Sequence, residues 1–264
     1  MALRYSVLAS GSTGNATFVA TEQAKIVIDA GLTGKQLEAL FAQIGENPQE
    51  LDAILVTHEH SDHIKGLGVL ARRYKIPVYA NAKTWTEIDR LCGKIETEQK
   101  FHFEQDQRLM FKDLEVHSYG VSHDAIEPMA YCVYHQGKKL SMSTDMGYVS
   151  ERIKGTLEDS DVIIFESNHD VEMLRMGHYP WNIKRRILGD MGHLSNDAAG
   201  EALADIISSR TKKVYLAHLS KDNNMVDLAR MTVQQILEGR DIEVGRGLTL
   251  HDTYPDKPTK LAVV

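Results

Sequence analysis

Short apolar runs alternate with longer amphipathic stretches along this chain. Runs rich in β-branched residues predict strands at 4–10, 16–21, 24–30, 51–57, 76–81, 114–123, 129–136, 138–145, 161–167 and 212–218. Apolar residues at helical spacing predict helices at 34–45, 62–75, 83–93, 148–160, 180–188, 196–210 and 224–239. Strands with helices interspersed throughout predict a layered α/β (α+β) fold, with sheets at the centre and helices outside.

Composition sets few further limits on this picture. The chain has 264 residues, of which 42% are hydrophobic and 25% charged, as in ordinary globular proteins. Because no linker, repeat or low-complexity run divides the chain, residues 1–264 are predicted to form one domain. No apolar stretch is long enough to span a bilayer, and the first residues lack the pattern of a signal peptide.

Cysteine usage and net charge limit the expected cellular compartment and the class of protein. Cys92 and Cys132 have no CxxC partners, so a disulfide framework and sulfur ligation of a metal are not expected. Two isolated cysteines fit a reducing compartment, and a cytoplasmic location is expected. The net charge of -7 argues against a protein that coats nucleic acid, but it leaves room for an enzyme with a local basic groove.

One loop concentrates metal-ligating side chains. "THEHSDH" occupies 57–63, at the end of a predicted strand and the start of a predicted helix. His58 and His60 share a face while the chain is extended, and Asp62 and His63 then turn with the helix toward a second point. Position 62, four residues after His58, is not histidine, which excludes the helical HExxH zinc motif. The loop is therefore predicted to reach two metal ions.

Three further candidate ligands end predicted strands elsewhere in the chain. His123 follows "EVHSYGVS", Asp145 follows "KKLSMST" and His218 follows "KKVYLA". Rigid sheets usually carry their chemistry in the loops at strand ends. Zinc accepts histidine nitrogen and carboxylate oxygen when thiolates are absent, and manganese is the alternative.

These residues resemble the metallo-β-lactamase superfamily, in which HxHxDH is followed by a histidine, an aspartate and a final histidine. The resemblance spans nearly the whole chain and implies a four-layer αβ/βα sandwich with two divalent metal ions at one edge of the two sheets. It implies one ion held by His58, His60 and His123, a second held by Asp62, His63 and His218, and Asp145 bridging the two.

Other stretches are similar to one branch of that superfamily. Asp145 in "STDMG" stands where true β-lactamases commonly have cysteine or serine, which disfavours lactam hydrolysis. "LASGSTGNATFV" at 8–19, "FESNHD" at 165–170 and "GHLSNDAAGEALA" at 192–204 are similar to the bacterial YycJ/WalJ branch. That branch is related to transfer-RNA 3′-processing nucleases and to phosphonate-pathway (PhnP-type) phosphodiesterases. The implied activity is 5′→3′ exonuclease action on double-stranded DNA.

The resemblance also implies catalytic roles. Asp62 and Asp145 take part through the metals, and His193 protonates the leaving oxygen, with packing near a helix start as its alternative role. Glu166 and His169 are candidates for orienting His193.

The candidate substrate contacts are polar side chains near these positions: Lys184, Arg185, Asn15 and Ser220. A solvated helix face is an equal interpretation for the basic run "KRR" that contains Lys184 and Arg185, and a plain hairpin turn is an equal one for the loop of Asn15. Trp181, Tyr179 and His178 could stack on a displaced base, with packing as the alternative.

The same ligands would serve two other functions. One is hydrolysis of a small phosphodiester, such as a cyclic phosphate or nucleotide, or of a thioester. The other is a non-enzymatic protein that binds DNA or a partner, against which the intact ligand set argues. The sequence leaves the native metal, the polarity and the oligomeric state open.

Overall fold

The structure is a computed structural model that describes residues 2–264. The strands are β1 Arg4–Ala9, β2 Ala16–Ala20, β3 Lys25–Ile28, β4 Ala53–Leu55, β5 Val78–Ala80, β6 Lys100–His102, β7 Arg108–Phe111, β8 Leu114–Gly120, β9 Met129–His135, β10 Lys138–Ser143, β11 Val162–Glu166, β12 Lys213–Ala217, β13 Thr249–Asp252 and β14 Ala262–Val263. The α-helices are α1 Gly34–Gln43, α2 Ser61–Ile64, α3 Leu67–Tyr74, α4 Ala82–Leu91, α5 Glu151–Leu157, α6 Val171–Met176, α7 Trp181–Ile187, α8 Asn196–Ile206 and α9 Val226–Gly239. The predicted mixed α/β class is confirmed.

Residue contacts cluster in two units. The first unit is the chain through Gly120 together with Ala125–Gly137 and Tyr254–Val264, and the second is Val121–Asp124 together with Lys138–Thr253. The expectation of one domain across 1–264 stays a prediction. Among residues 2–264, none of the helices has both the length and the apolar character needed to cross a membrane.

The first unit is built on a sheet in the order β14-β1-β2-β3-β4-β5-β6. The predicted hairpin of β1 and β2 is antiparallel, whereas β3 to β6 run parallel. Helices α1, α3 and α4 bury apolar side chains in one core with this sheet, where the rings of Phe18 and Phe41 meet edge to face at 5.6 Å. An antiparallel run in the order β7-β8-β9 also belongs to this unit. The parallel strands bring the loop after β4 to a carboxyl edge of the sheet, where chemistry usually collects.

The second unit contains four parallel strands, in the order β10-β11-β12-β13. Parallel strands share one carboxyl edge, so the residues that follow them lie together. Asp145 follows β10, Glu166 ends β11 and His218 follows β12. The strand-end placement predicted for Asp145 and His218 is therefore observed.

Some elements differ from prediction. The predicted helix 62–75 is two helices, α2 and α3, because Gly66 packs tightly against the first unit's own backbone. A Cβ at Gly66 would lie 2.2 Å from the Leu32 carbonyl oxygen, and the Gly66 N–H donates to the Ala30 carbonyl at 2.8 Å. Strands β6, β7, β13 and β14 and helix α6 were not predicted, because they are short and carry exposed or polar residues.

Candidate metal centre

The histidine loop of the first unit forms a tight cluster, called the loop cluster here: His58, His60, Asp62 and His63. His60 is the N-cap residue of α2, so the chain is still extended at His60 and turns into the helix at Asp62 and His63. His58 Nε2 lies 3.1 Å from His60 Nδ1, and the His58 and His63 ring centroids are 4.1 Å apart. His58 and His63 are buried, whereas His60 and Asp62 are half-buried.

Asp29 supports the loop cluster through hydrogen bonds to Thr57 and His63. This carboxylate is 1% exposed, and it accepts hydrogen bonds from the Thr57 N–H at 2.8 Å, the Thr57 hydroxyl at 2.9 Å and His63 Nδ1 at 2.8 Å. Because the Thr57 proton goes to Asp29, Thr57 Oγ1 accepts from His58 Nδ1 at 3.0 Å. His58 and His63 are thus both protonated on Nδ1, which leaves each Nε2 with a lone pair for a metal.

Asn15 fixes the backbone of the same loop. Its backbone N–H donates to the Asp62 carbonyl at 2.8 Å, and its side-chain amide lies 3.2 Å from His63 Nε2. Gly31 lets these segments approach, because a Cβ there would lie 1.7 Å from the Asp62 carbonyl oxygen. Asn15 was predicted to bind substrate; the structure places it buried beneath Asp62.

The second unit carries a second group, called the carboxylate cluster here: His123, Asp145, Glu166, His193 and His218. Single ligand atoms of Asp145, Glu166, His193 and His218 all lie within 4.8 Å of one another, which is close enough to hold one metal ion. Asp145 and His218 have φ of 61° and 56°, left-handed values that turn each side chain at its strand end. Asp145 Oδ1 lies 3.4 Å from His218 Nδ1 and 3.7 Å from His123 Nε2.

Glu166 stands at the centre of the carboxylate cluster and is 0% exposed. Its Oε1 accepts from His193 Nδ1 at 2.8 Å and from His218 Nδ1 at 3.1 Å, while its Oε2 accepts from the Met146 and Leu194 N–H groups. Burial alone would raise the pKa of Glu166, but His193 and His218 outweigh burial and hold that pKa well below its usual range. Glu166 is therefore a carboxylate that binds the Nδ1 protons of two histidines.

His123 is also oriented through its Nδ1 atom, whereas His169 is not. His123 Nδ1 donates to the Gly192 carbonyl at 3.0 Å, so its Nε2 is also left for a metal. Burial lowers the pKa of His123, and it lowers the pKa of His169 to about 4, so both rings are neutral near pH 7. His169, a candidate for orienting His193, is 1% exposed, and within the described range 2–264 its ring nitrogens have no hydrogen-bond partner. Glu166 is the candidate that bonds to His193.

An asparagine network that sequence reasoning missed supports the His218 loop. The Asn168 amide donates to the His218 carbonyl at 2.8 Å, and the Asn224 amide donates to the Asn168 carbonyl at 3.0 Å. Asn168 lies inside the quoted stretch "FESNHD", which was the available signal. Asp29 was missed too, although in the structure it comes after β3 much as Asp145 comes after β10.

The predicted substrate contacts of the second unit lie in different settings. Lys184 is buried, and its ammonium donates to the Arg175 and Gly177 carbonyls, each at 2.6 Å. Arg185 is exposed. Ser220 is half-buried, and its Oγ accepts from the Asn223 N–H at 3.2 Å. Their contact with a substrate stays a prediction.

Comparison with known proteins yields a family and close relatives. A family model described as the beta-lactamase superfamily domain matches residues 24–219. Exodeoxyribonuclease YycJ of Bacillus anthracis is 57% identical over 264 residues, which cover 100% of both chains. Exodeoxyribonuclease WalJ of Streptococcus pneumoniae serotype 2 is 47% identical over 263 residues, or 99% of this chain and 98% of the relative.

Solved structures give the same fold. The crystal structure of the metallo-beta-lactamase fold protein YhfI from Bacillus subtilis aligns with a TM-score of 0.74 at 16% identity. The alignment covers 98% of this chain and 99% of that chain. At this identity the likeness concerns the fold, and it confirms the fold predicted from the sequence.

Proposed function

This chain belongs to the β-lactamase superfamily, in the YycJ/WalJ branch that its motifs predicted, and from this membership we propose that it is a dinuclear metal-dependent 5′→3′ exonuclease acting on double-stranded DNA. It is an enzyme of a hydrolase family, and it has a His/Asp cluster able to hold metal. The names of its two close relatives support DNA as the substrate. Duplex preference and polarity belong to the proposal.

The proposed ligands are the seven residues singled out by the sequence. His58, His60 and His123 would hold one ion, Asp62, His63 and His218 would hold a second, and Asp145 would be a ligand of both. The observation that carries this assignment is the anchoring of four Nδ1 atoms. His58, His63, His123 and His218 each hydrogen-bond through Nδ1 to Thr57, Asp29, Gly192 and Glu166, respectively. Each Nε2 is thereby available to a metal, as in protein sites that orient histidine from a second layer.

The donor set suits zinc, with manganese as the alternative. Imidazole nitrogen and carboxylate oxygen serve both metals. When bound, the two ions would supply an activated water and draw charge from a phosphate oxygen. Two ligand carboxylates against two divalent cations leave a positive centre, which favours an anionic phosphodiester.

We assign the proton donated to the leaving oxygen to His193. Glu166 holds His193 Nδ1 at 2.8 Å, so the ring presents Nε2 away from Glu166. In this role, Nε2 carries the proton that passes to the leaving oxygen, while Glu166 keeps the ring oriented through Nδ1. General acid catalysis of this kind contributes about 10²–10⁴-fold to rate.

Exposed basic side chains are the candidates for contacts with DNA phosphates away from the metals. The Arg185 guanidinium is exposed, whereas the Lys184 ammonium is already bound to two carbonyls. Arg185 is therefore the stronger candidate for a DNA contact. Asn15 and Ser220 stay candidates, with Asn15 acting through the position of Asp62.

We place the enzyme in the cytoplasm. Within residues 2–264, neither Cys92 nor Cys132 forms a disulfide bond, which fits a reducing compartment. Fractionation of cells that express the protein would test this location, and recovery outside the cytoplasmic fraction would contradict it.

The function is tested with end-labelled duplex DNA blocked at either its 5′ or its 3′ end, alongside cyclic nucleotides, small phosphodiesters and a thioester. We expect degradation of the 3′-blocked duplex and not of the 5′-blocked duplex. The Asp145→Ala variant should lose this activity while retaining its circular dichroism spectrum. Turnover of small diesters or thioesters without DNA cleavage would favour the alternative function, and DNA cleavage that persists in Asp145→Ala would end the proposal.

A further inference from the structure

Helix α7 presents one face to solvent and another to its own unit. Ile183 and Ile187 are half-buried and Lys184 is buried, which defines the inner face. Trp181, Arg185 and Leu188 follow at i, i+4 and i+7, so they share the outer side of the helix and its C-terminal end. We call these three residues the Trp181 face.

The exposure of Trp181 is unusual for its type. Its relative exposure is 63%, whereas Trp85 is 5% exposed and donates its indole N–H to the Phe101 carbonyl at 2.9 Å. Leu188, on the same face, is 40% exposed. A flat aromatic ring in this position can accept a nucleobase by stacking.

The charges around Trp181 single out one available cation. Arg186 pairs with Asp124, Arg175 pairs with Glu172 at 2.8 Å, and the Lys184 ammonium binds two carbonyls. Within residues 2–264, the Arg185 guanidinium has neither a hydrogen bond nor an ion pair. It stands one helical turn from Trp181, so a base and its neighbouring phosphate can be held together.

The Trp181 face is connected to the proposed proton donor. The His193 N–H donates to the Ile187 carbonyl at 3.0 Å, and Gly192 packs so closely that a Cβ there would lie 2.1 Å from the Ile187 oxygen. The six-residue rise from Trp181 to Ile187 spans about 9 Å. This short span links the Trp181 face to the residue that bonds the His193 backbone.

We propose that the Trp181 face binds an unpaired stretch of the nucleic-acid strand close to the scissile phosphate, with a base stacked on Trp181 and a phosphate bound by Arg185. This proposal rests on the proposed function and extends it to a substrate preference. The enzyme should favour ends that fray or carry a few unpaired nucleotides over ends locked in a duplex.

The test compares Trp181→Ala, Trp181→Phe and Arg185→Ala with two controls on the same unit, Met231→Ala and Arg246→Ala, whose side chains are exposed. Substrates are duplexes with blunt or four-nucleotide unpaired ends and bis(p-nitrophenyl) phosphate. We expect Trp181→Ala to raise KM for the unpaired end about 5- to 150-fold, the range expected for one lost stacking contact. Trp181→Phe should recover most of that loss, and Arg185→Ala should make KM less dependent on salt.

A binding experiment separates this inference from the function itself. Addition of a ten-residue oligothymidylate should quench the fluorescence of the exposed Trp181, and Trp181→Phe should lose that response. Quenching without hydrolysis of any diester would contradict the function but support the binding face. Hydrolysis with KM unchanged in both Trp181→Ala and Arg185→Ala would overturn the inference and leave the function standing. A wild-type dimer that becomes monomeric in Trp181→Ala, measured by light scattering, would overturn it too, because the face would then bind a second copy.

Discussion

Substitution of Asp29 by Asn should weaken metal binding without altering the side chain's shape. Asp29 Oδ1 accepts from the Thr57 N–H, and Oδ2 accepts from the Thr57 hydroxyl and from His63 Nδ1. An amide keeps one acceptor and replaces the other with a donor. In one orientation of the amide, its N–H₂ group therefore faces the Thr57 N–H, and in the other it faces His63 Nδ1, so two hydrogen-bond donors always meet. The backbone tolerates the change, because φ at Asp29 is 63° and Asn accepts left-handed values.

The size of the effect follows from the histidine tautomer. Facing an amide N–H₂, His63 is favoured in the form protonated on Nε2, which removes the lone pair that a metal needs. Loss of such a supporting carboxylate lowers metal affinity about 10- to 100-fold, or about 1.4–2.7 kcal/mol.

The assay for Asp29→Asn is competition for Zn²⁺ and Mn²⁺ against a fluorescent chelator. Asp113→Asn is a matched control, because Asp113 also accepts a hydroxyl proton, from Thr21 at 2.6 Å, but contacts no proposed ligand. The control should bind metal as the wild type does. Affinity within twofold of the wild type in Asp29→Asn would refute the reasoning about His63.

Three further predictions concern the glycine contact, the acid and a buried histidine. Gly31→Ala should cost about 1–3 kcal/mol of stability and at least tenfold in metal affinity, because its Cβ would lie 1.7 Å from the Asp62 carbonyl oxygen. The control Gly155→Ala, which adds a Cβ in open space on α5, should instead raise the free energy of unfolding in urea by about 0.5–1 kcal/mol. His193→Ala should lower kcat about 10²- to 10⁴-fold while elemental analysis still finds both ions, and loss of the ions would show that His193 is misassigned. Burial lowers the pKa of His169 to about 4 in the folded protein, whereas the unfolded chain has the ordinary value of about 6.5. As pH falls, protons therefore bind the unfolded chain first, and the free energy of unfolding drops between pH 6.5 and 4. From pH 7 to pH 5 this contribution is about 2 kcal/mol, and His169→Gln should remove it; an unchanged pH dependence of urea unfolding would contradict the assignment.

The parts of the fold that follow from local pattern were predicted well. Runs such as 161–167 and 212–218 have continuous apolar centres, "VIIF" and "VYLA", and the observed strands Val162–Glu166 and Lys213–Ala217 lie within them. The break at Gly66 was not predictable, because it depends on the Leu32 and Ala30 carbonyls, which are distant in sequence. Strand Arg108–Phe111 was missed because its alternation is weak and its residues are largely exposed.

The residues of the candidate site also differ in whether local sequence alone predicts their role. His58, His60, Asp62 and His63 were evident because their spacing in one loop is itself a signal. Asp29 was not evident, since an aspartate at a strand end gains its role only from contacts with Thr57 and His63. The difference between neighbouring cations, one buried and one exposed, likewise depends on how α7 packs.

The central claim is that two divalent ions per chain drive phosphodiester hydrolysis. The most direct test titrates metal-stripped protein with Zn²⁺ or Mn²⁺ and follows bound metal by elemental analysis together with nucleotide release from end-labelled duplex DNA. Release should be absent without metal and should reach its maximum at two ions per chain. Full release from metal-free protein, or saturation with a single ion, would contradict the account.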